Sequence, residues 1–342
     1  MAAGLIGWDV GGAHVKAARL EGGRLTRVIQ LPCTLWLGVE HLDRALDEAL
    51  GRMGAADAHA VTMTGELVDL FPHRAEGVRR LTDLLARRLG SLRIWAGVMG
   101  FLPPERARNE PRAVASANWL ASIAWAARRV PEGLFADMGS TTTDLVPFAR
   151  GESRHRGVTD AERLAESELV YTGAVRTPLM AVAQSVPFRG RPQAVMAEYF
   201  ATIADAHRVR GALPEGLDLH ETADRRGKSM DESAARLARM VGCDLGDASA
   251  AEWRLLADAF ARRQLEQLVQ AAQRVLSHAD VSAAAPLIGA GAGRFLLRDL
   301  AAALGRPYRD FAELIEGPAD AREAAAISAP AAAVALLAAS SA

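Results

Sequence analysis

Asp9-Val10-Gly11-Gly12-Ala13-His14-Val15-Lys16 and Asp137-Met138-Gly139-Ser140-Thr141-Thr142-Thr143-Asp144 are two versions of one pattern. Each follows an apolar run, LIGWDV (5–10) or LFADMG (134–139), and each leads into a second run, VKAARL (15–20) or LVPFARG (145–151). Strand, tight turn and returning strand make a hairpin. Glycine lets the backbone come close to an anion and aim amides at it, so Gly11, Gly12 and Gly139 are candidate phosphate contacts. Ser140, Thr141 and Thr142 add hydroxyl donors, and Lys16 adds a positive charge unless it points away along the outgoing strand. Asp9 and Asp137, at strand ends, suit Mg2+ held directly or through water. Asp144 is placed to bind metal or to orient the donors. A plain hairpin or a Ser/Thr-rich turn explains either motif alone. Two acid-bearing hairpins that open equivalent halves of a chain favour phosphate binding.

Working outward, each hairpin is followed by helices and further strands. VEHLDRALDEALGRM (39–53) and RAEGVRRLTDLLARRLG (74–90) carry apolar residues at helical spacing, and AHAVTMTG (58–65) and SLRIWAGV (91–98) read as strands. AVASANWLASIAWAARR (113–129) reads as one apolar helix linking two lobes. In the second half a helix from about 252 to 278 precedes APLIGAGAG (285–293), the helix RFLLRDLAAALG (294–305) and a short strand PYRDF (307–311). The expected fold is α/β, with a duplicated mixed five-stranded unit. Residues 1–130 form the N-terminal lobe with its linking helix and 131–342 the C-terminal lobe. Residues 151–248, with a short helix around 194–206, read as a substrate-facing insertion in the second lobe.

Gly289, Gly291 and Gly293 form a third glycine element. Arg294 stands where a dinucleotide fingerprint needs its last glycine. Small residues between strand and helix either seat a nucleoside-like group or let the helix pack closely on the strand.

Composition narrows the function classes. The 342 residues are 50% hydrophobic and 24% charged with a net charge of -1, so no global attraction draws the chain to nucleic acid or anionic membrane. The two cysteines, Cys33 and Cys243, lack CxxC spacing and read as reduced thiols, and the histidines show no HxxxH or HExxH zinc spacing. The start has no signal-peptide pattern, and the alanine-rich run 324–342, interrupted by Pro330, reads as a buried terminal helix. The expected setting is the cytoplasm; self-association is left open.

Two hairpins, a connecting helix and a late glycine loop in this order resemble the actin-like ATPase (ASKHA) superfamily, which implies a two-lobed, duplicated ribonuclease H-like fold. The chain departs from it at Ala13, where that superfamily usually has Thr or Ser, and this weakens the expectation of ATP chemistry. More narrowly, MTGELVDLF (63–71), SANW (116–119), DMGSTTTDLVPF (137–148), TD (159–160), ELVYTGAVRTPL (168–179) and TADRRGKS with RLARMVGCD (222–244) resemble a hydantoinase/oxoprolinase-related group. Its members belong to tetrahydromethanopterin-linked C1-transfer pathways, and the archaeal ones are methanofuran-biosynthesis synthases.

That resemblance implies transfer of an aminomethylfuran-methyl group from its diphosphate to the phenol oxygen of γ-glutamyltyramine or a similar acceptor, with release of pyrophosphate. The partners implied are a small-molecule diphosphate and a phenolic acceptor. The phenol needs a base, for which Glu66 of Thr64-Gly65-Glu66 is the first candidate and Asp144 the second; Glu66 as a helix-start carboxylate is the plain alternative. Tyr171, Thr172, Arg176 and Lys228 are candidate substrate contacts, although a surface ion pair or a solvated loop accounts equally for the two cations. An ATP-dependent kinase or amide-cleaving enzyme of the same fold is the alternative function.

Overall fold

The computed structural model describes residues 4–341; Met1–Ala3 and Ala342, which belong to the terminal segments read above, lie outside the described residues. In the first lobe the strands β1 (Gly4–Val10), β2 (His14–Glu21), β3 (Arg24–Pro32), β4 (Ala58–Met63), β5 (Leu92–Trp95) and β6 (Phe101–Leu102) lie in the order β3-β2-β1-β4-β5-β6. β1 runs antiparallel to β2 and parallel to β4. In the second lobe β7 (Glu132–Met138), β8 (Thr143–Ala149), β9 (Glu152–Ser153) and β10 (Leu169–Val170) are followed, after the two-stranded ribbon β11 (Ser185–Phe188) and β12 (Arg191–Ala194), by β13 (Leu287–Ala290) and β14 (Tyr308–Asp310). Their order, β10-β8-β7-β13-β14, repeats that of β3-β2-β1-β4-β5, with the same antiparallel hairpin and parallel core. This is the two-lobed actin-like arrangement that the paired hairpins imply.

Side-chain alternation explains the layers. On β1, Ile6, Trp8 and Val10 point into a core shared with α1 (Val39–Met53) and α2 (Arg74–Leu89). Gly7 points the other way, where a Cβ would collide with the Ala331 carbonyl oxygen and Ala335. That missing side chain lets the last helix lie directly on the sheet. The C-terminal run is two helices, Ala319–Ile327 and Ala329–Ala339, bent by 112° where Ser328 and Pro330 fall. The second packs on the first-lobe sheet and on the linking helix, so the end of the chain returns to the lobe where it began. Among the described residues no single helix is long and apolar enough to cross a membrane. Cys33 and Cys243 are both unpaired thiols.

Three local expectations are corrected. The linking helix starts at Asn118 rather than 113, because Ser116 takes a left-handed φ of 52° that interrupts it. Residues 191–194 are strand β12, paired with β11, and the short helix is Ile203–Val209, started by the reciprocal cap of Thr202 and Asp205. Within 151–248, β9 and β10 pair with β8 and so complete the main sheet. The additional elements begin beyond Val170, where they form a small core of their own around Leu179, Ile203, Leu237, Trp253 and Phe260.

Candidate functional site

The two hairpins are built alike. The Gly11 amide donates to the His14 carbonyl at 3.0 Å, and the Gly139 amide donates to the Thr142 carbonyl at 2.9 Å. Those two amides therefore close the turns. Gly12 is needed for close approach, since a Cβ there would lie 2.5 Å from Val68 Cγ1. Across each hairpin the strand-ending acid faces a charged residue: Asp9 is paired with Lys16, and Asp137 with Asp144.

Between the lobes lies a cavity of about 460 Å³, and it gathers most of the expected phosphate residues. Lys16, Asp137, Gly139, Ser140, Thr142 and Asp144 all line it. Asp9 lies behind Lys16, buried, with Oδ2 accepting from Lys16 Nζ at 3.2 Å and Oδ1 without a protein partner. Burial works to lower the Lys16 pKa, but the charges of Asp9 and Asp137 outweigh it and hold the ammonium above its ordinary value. Burial, and then the charge of Asp144, push Asp137 up to about 7, with Lys16 opposing. Asp144 itself accepts from Arg163 Nη2 at 2.8 Å. Arg163 is buried, with its guanidinium 3.9 Å above the Trp119 ring of the linking helix.

The segment 171–177 supports the second hairpin more than it touches the cavity. The amides of Ala174, Val175 and Arg176 donate to the Gly139 and Ser140 carbonyls, and Gly173 lies so close that a Cβ would be 2.5 Å from Ser140 C and Thr141 N. Thr172 is buried, where its hydroxyl accepts from Gln264 Nε2 at 2.9 Å, and Tyr171 is 68% exposed outside the cavity. Neither position contacts the cavity: residues 172–175 are all buried against the second hairpin and its support, and Tyr171 on their N-terminal side faces solvent. Arg176 reaches Thr141 Oγ1 at 3.5 Å. Lys228 is tied to Asp218, donating to its carbonyl at 2.7 Å.

The late glycine loop is a packing joint. A Cβ at Gly291 would strike Asp137 Oδ1, one at Gly293 the Met138 side chain, and one at Gly289 would lie 2.5 Å from Tyr308 Oη. The Gly291 and Gly293 amides donate to the Ala326 and Met138 carbonyls, both at 2.7 Å. The loop presents Ala292 to the cavity.

Glu66 follows β4 beside the first hairpin, where the Thr64 amide donates to the Val10 carbonyl. It is 1% exposed; Oε1 accepts from the Ser116 amide at 2.8 Å and from its hydroxyl at 3.2 Å. Burial pushes its pKa up to about 7, against the lowering effect of these hydrogen bonds. Glu66 does not line the interlobe cavity.

Sequence reading missed several neighbours. Residues Pro214–Leu217, Leu219 and His220 form one wall of the cavity, and the His220 ring meets His14 of the first hairpin edge-on at 5.9 Å. Arg163 was missed although Thr159 and Glu162 form a reciprocal helix cap just before it; that signal marks the helix but not the direction of its arginine.

A family model described as hydantoinase/oxoprolinase matches residues 57–341. The chain is 30% identical over 242 residues to the (4-{4-[2-(gamma-L-glutamylamino)ethyl]phenoxymethyl}furan-2-yl)methanamine synthase of Methanocaldococcus jannaschii, covering 70% of this chain and 72% of the relative. To the protein of the same name from Methanococcus vannielii it is 34% identical over 119 residues, 35% of this chain and 53% of that one. Among solved structures, nucleotide-free acetone carboxylase superposes with a TM-score of 0.57 at 12% identity, covering 90% of this chain and 68% of that chain; this likeness concerns the fold. With the matched hairpins and the interlobe cavity in place, these similarities assign the chain to the hydantoinase/oxoprolinase family, as a relative of the furan-methanamine synthases.

Proposed function

We propose that this protein is a synthase that forms the aryl furfuryl ether named in its relatives: it joins an aminomethylfuran methyl diphosphate to the phenol oxygen of a γ-glutamyltyramine-type acceptor and releases pyrophosphate. The observation that carries the reading is the convergence of two like-built hairpins on one cavity, with Lys16 and the hydroxyls of Ser140 and Thr142 at its wall. In the reaction the furfuryl C–O bond breaks, and its electron pair leaves on the diphosphate as the phenol oxygen bonds to the carbon. Lys16 and the hydroxyl donors stabilise the charge that grows on the leaving oxygens. Ala13, without a hydroxyl, and a glycine loop occupied by internal packing both favour a substrate diphosphate over ATP.

Two observations support a magnesium ion beside the hairpins. Asp9 Oδ1 is buried without a partner, and Asp137 crowds Asp144. Among the described residues no group of three or more acids, histidines or cysteines is arranged to hold a metal. Asp9 and Asp137, with water and the diphosphate itself, would hold Mg2+, which commonly takes only one or two carboxylates. When bound it neutralises the leaving diphosphate. The reading places the enzyme in the cytoplasm.

The test compares thermal shifts with ATP, pyrophosphate and the furan diphosphate, each with and without Mg2+, followed by mass detection of the ether. Selective stabilisation by the diphosphates and ATP-independent ether formation are expected. Stabilisation by ATP alone, with no ether from any tyramine-type phenol, overturns the reading.

A further inference from the structure

A second groove of about 790 Å³ opens between the lobes, lined by Arg74, Arg112, Ala115, Ser116, Val158 and Glu162 among others. Neighbouring residues of the same two segments serve this groove and the diphosphate cavity. Ser116 faces the groove and Asn118 the cavity; Glu162 faces the groove, while the next residue, Arg163, holds Asp144 of the cavity. The groove combines apolar walls with two guanidinium groups at its rim, and Arg74 is already paired with Asp160 at 2.7 Å. Ser116 is held in a left-handed conformation that a non-glycine residue rarely adopts, and both its amide and hydroxyl donate to buried Glu66. The second Glu66 oxygen, Oε2, is buried without a partner.

We infer that this groove is the acceptor subsite, holding a 4-(2-aminoethyl)phenol with γ-linked glutamate so that the phenol meets Ser116 and the amino-acid carboxylate meets Arg112. The assignment rests on the synthase reading above. The phenolic proton passes to Ser116 Oγ as the Ser116 proton passes to Glu66. The phenol oxygen then forms the new bond to the furan methylene while the old C–O pair leaves on pyrophosphate. Glu66, which burial holds near 7 against its Ser116 hydrogen bonds, lies closer to a phenol of about 10 than an ordinary carboxylate does. The apolar wall suits the phenyl ring, and a guanidinium at the rim suits a planar carboxylate.

Steady-state kinetics with each substrate varied in turn tests this. Arg112→Ala is expected to raise the acceptor KM by about tenfold or more, to leave the donor KM unchanged and to abolish preference for the glutamylated phenol over tyramine. Ser116→Gly keeps the backbone conformation and the amide bond to Glu66 but removes the hydroxyl, and is expected to lower kcat with little change in acceptor KM. Glu66→Gln is expected to remove the acidic limb of the kcat profile near pH 7. An Arg112→Ala effect on the donor KM instead, or no effect on the acceptor KM, overturns the assignment. If the wild-type protein forms no ether, the synthase reading fails. Calorimetric titration of the glutamylated phenol into wild-type and Arg112→Ala protein then decides the groove separately: weaker binding to the variant supports it, and equal or absent binding to both overturns it.

Discussion

Lys16 and Asp144 occupy the same place in the two hairpins and carry opposite charge. Each stands across its hairpin from the aspartate of the preceding strand, so that Asp9 faces Lys16 and Asp137 faces Asp144. The backbones are near-duplicates, but the charges are not. One hairpin offers a cation to an anionic ligand, and the other offers two carboxylates that need a proton, an arginine or a metal between them.

Lys16→Met should weaken pyrophosphate binding about 10- to 100-fold, the scale of one charge-assisted contact. It should also lower stability, because Asp9 is left buried with neither oxygen paired to this lysine. Titration calorimetry and urea denaturation of the variant check both effects.

Arg163→Met should cost about 1–3 kcal/mol, since it removes the charged donor of Asp144, a carboxylate that keeps some contact with solvent at the cavity wall. Asp144→Asn added to it should recover part of the loss by removing the stranded charge. A double-mutant cycle by chemical denaturation measures that coupling.

Gly173→Ala places a methyl group 2.5 Å from the backbone of Ser140 and Thr141, atoms that cannot rotate away. The expected cost is about 1–3 kcal/mol, with a fall of more than about tenfold in kcat/KM as the second turn shifts. Gly246→Ala, where a Cβ meets open space, is the control and should stay within about 0.5 kcal/mol of wild type.

Stability should fall as pH rises through the interval from the ordinary Glu value of 4.5 to about 7, because the folded protein keeps the Glu66 proton that the unfolded chain has released. Below that interval both states are protonated and the contribution is fully present. Glu66→Gln should flatten this slope by about 3 kcal/mol at most, leaving whatever share Asp137 adds in the same direction. Urea midpoints at pH 5 and pH 8 for both proteins provide the comparison.

The features legible in the sequence were those set by neighbours along the chain. Alternating apolar residues, Gly11 and Gly12, and the Ser140–Thr143 turn specify two hairpins, and their repetition implies two lobes, because strand and turn preferences act over a few residues. What each side chain faces was decided by segments far apart in sequence. Thr172 turned inward to Gln264, Gly291 made room for Asp137, Ser116 broke the expected helix to hold Glu66, and Arg163 reached Asp144 across Trp119. Buried polar groups must find partners wherever packing brings them. The sequence alone therefore determined the pair of hairpins, while only the tertiary structure decided which charges meet between them.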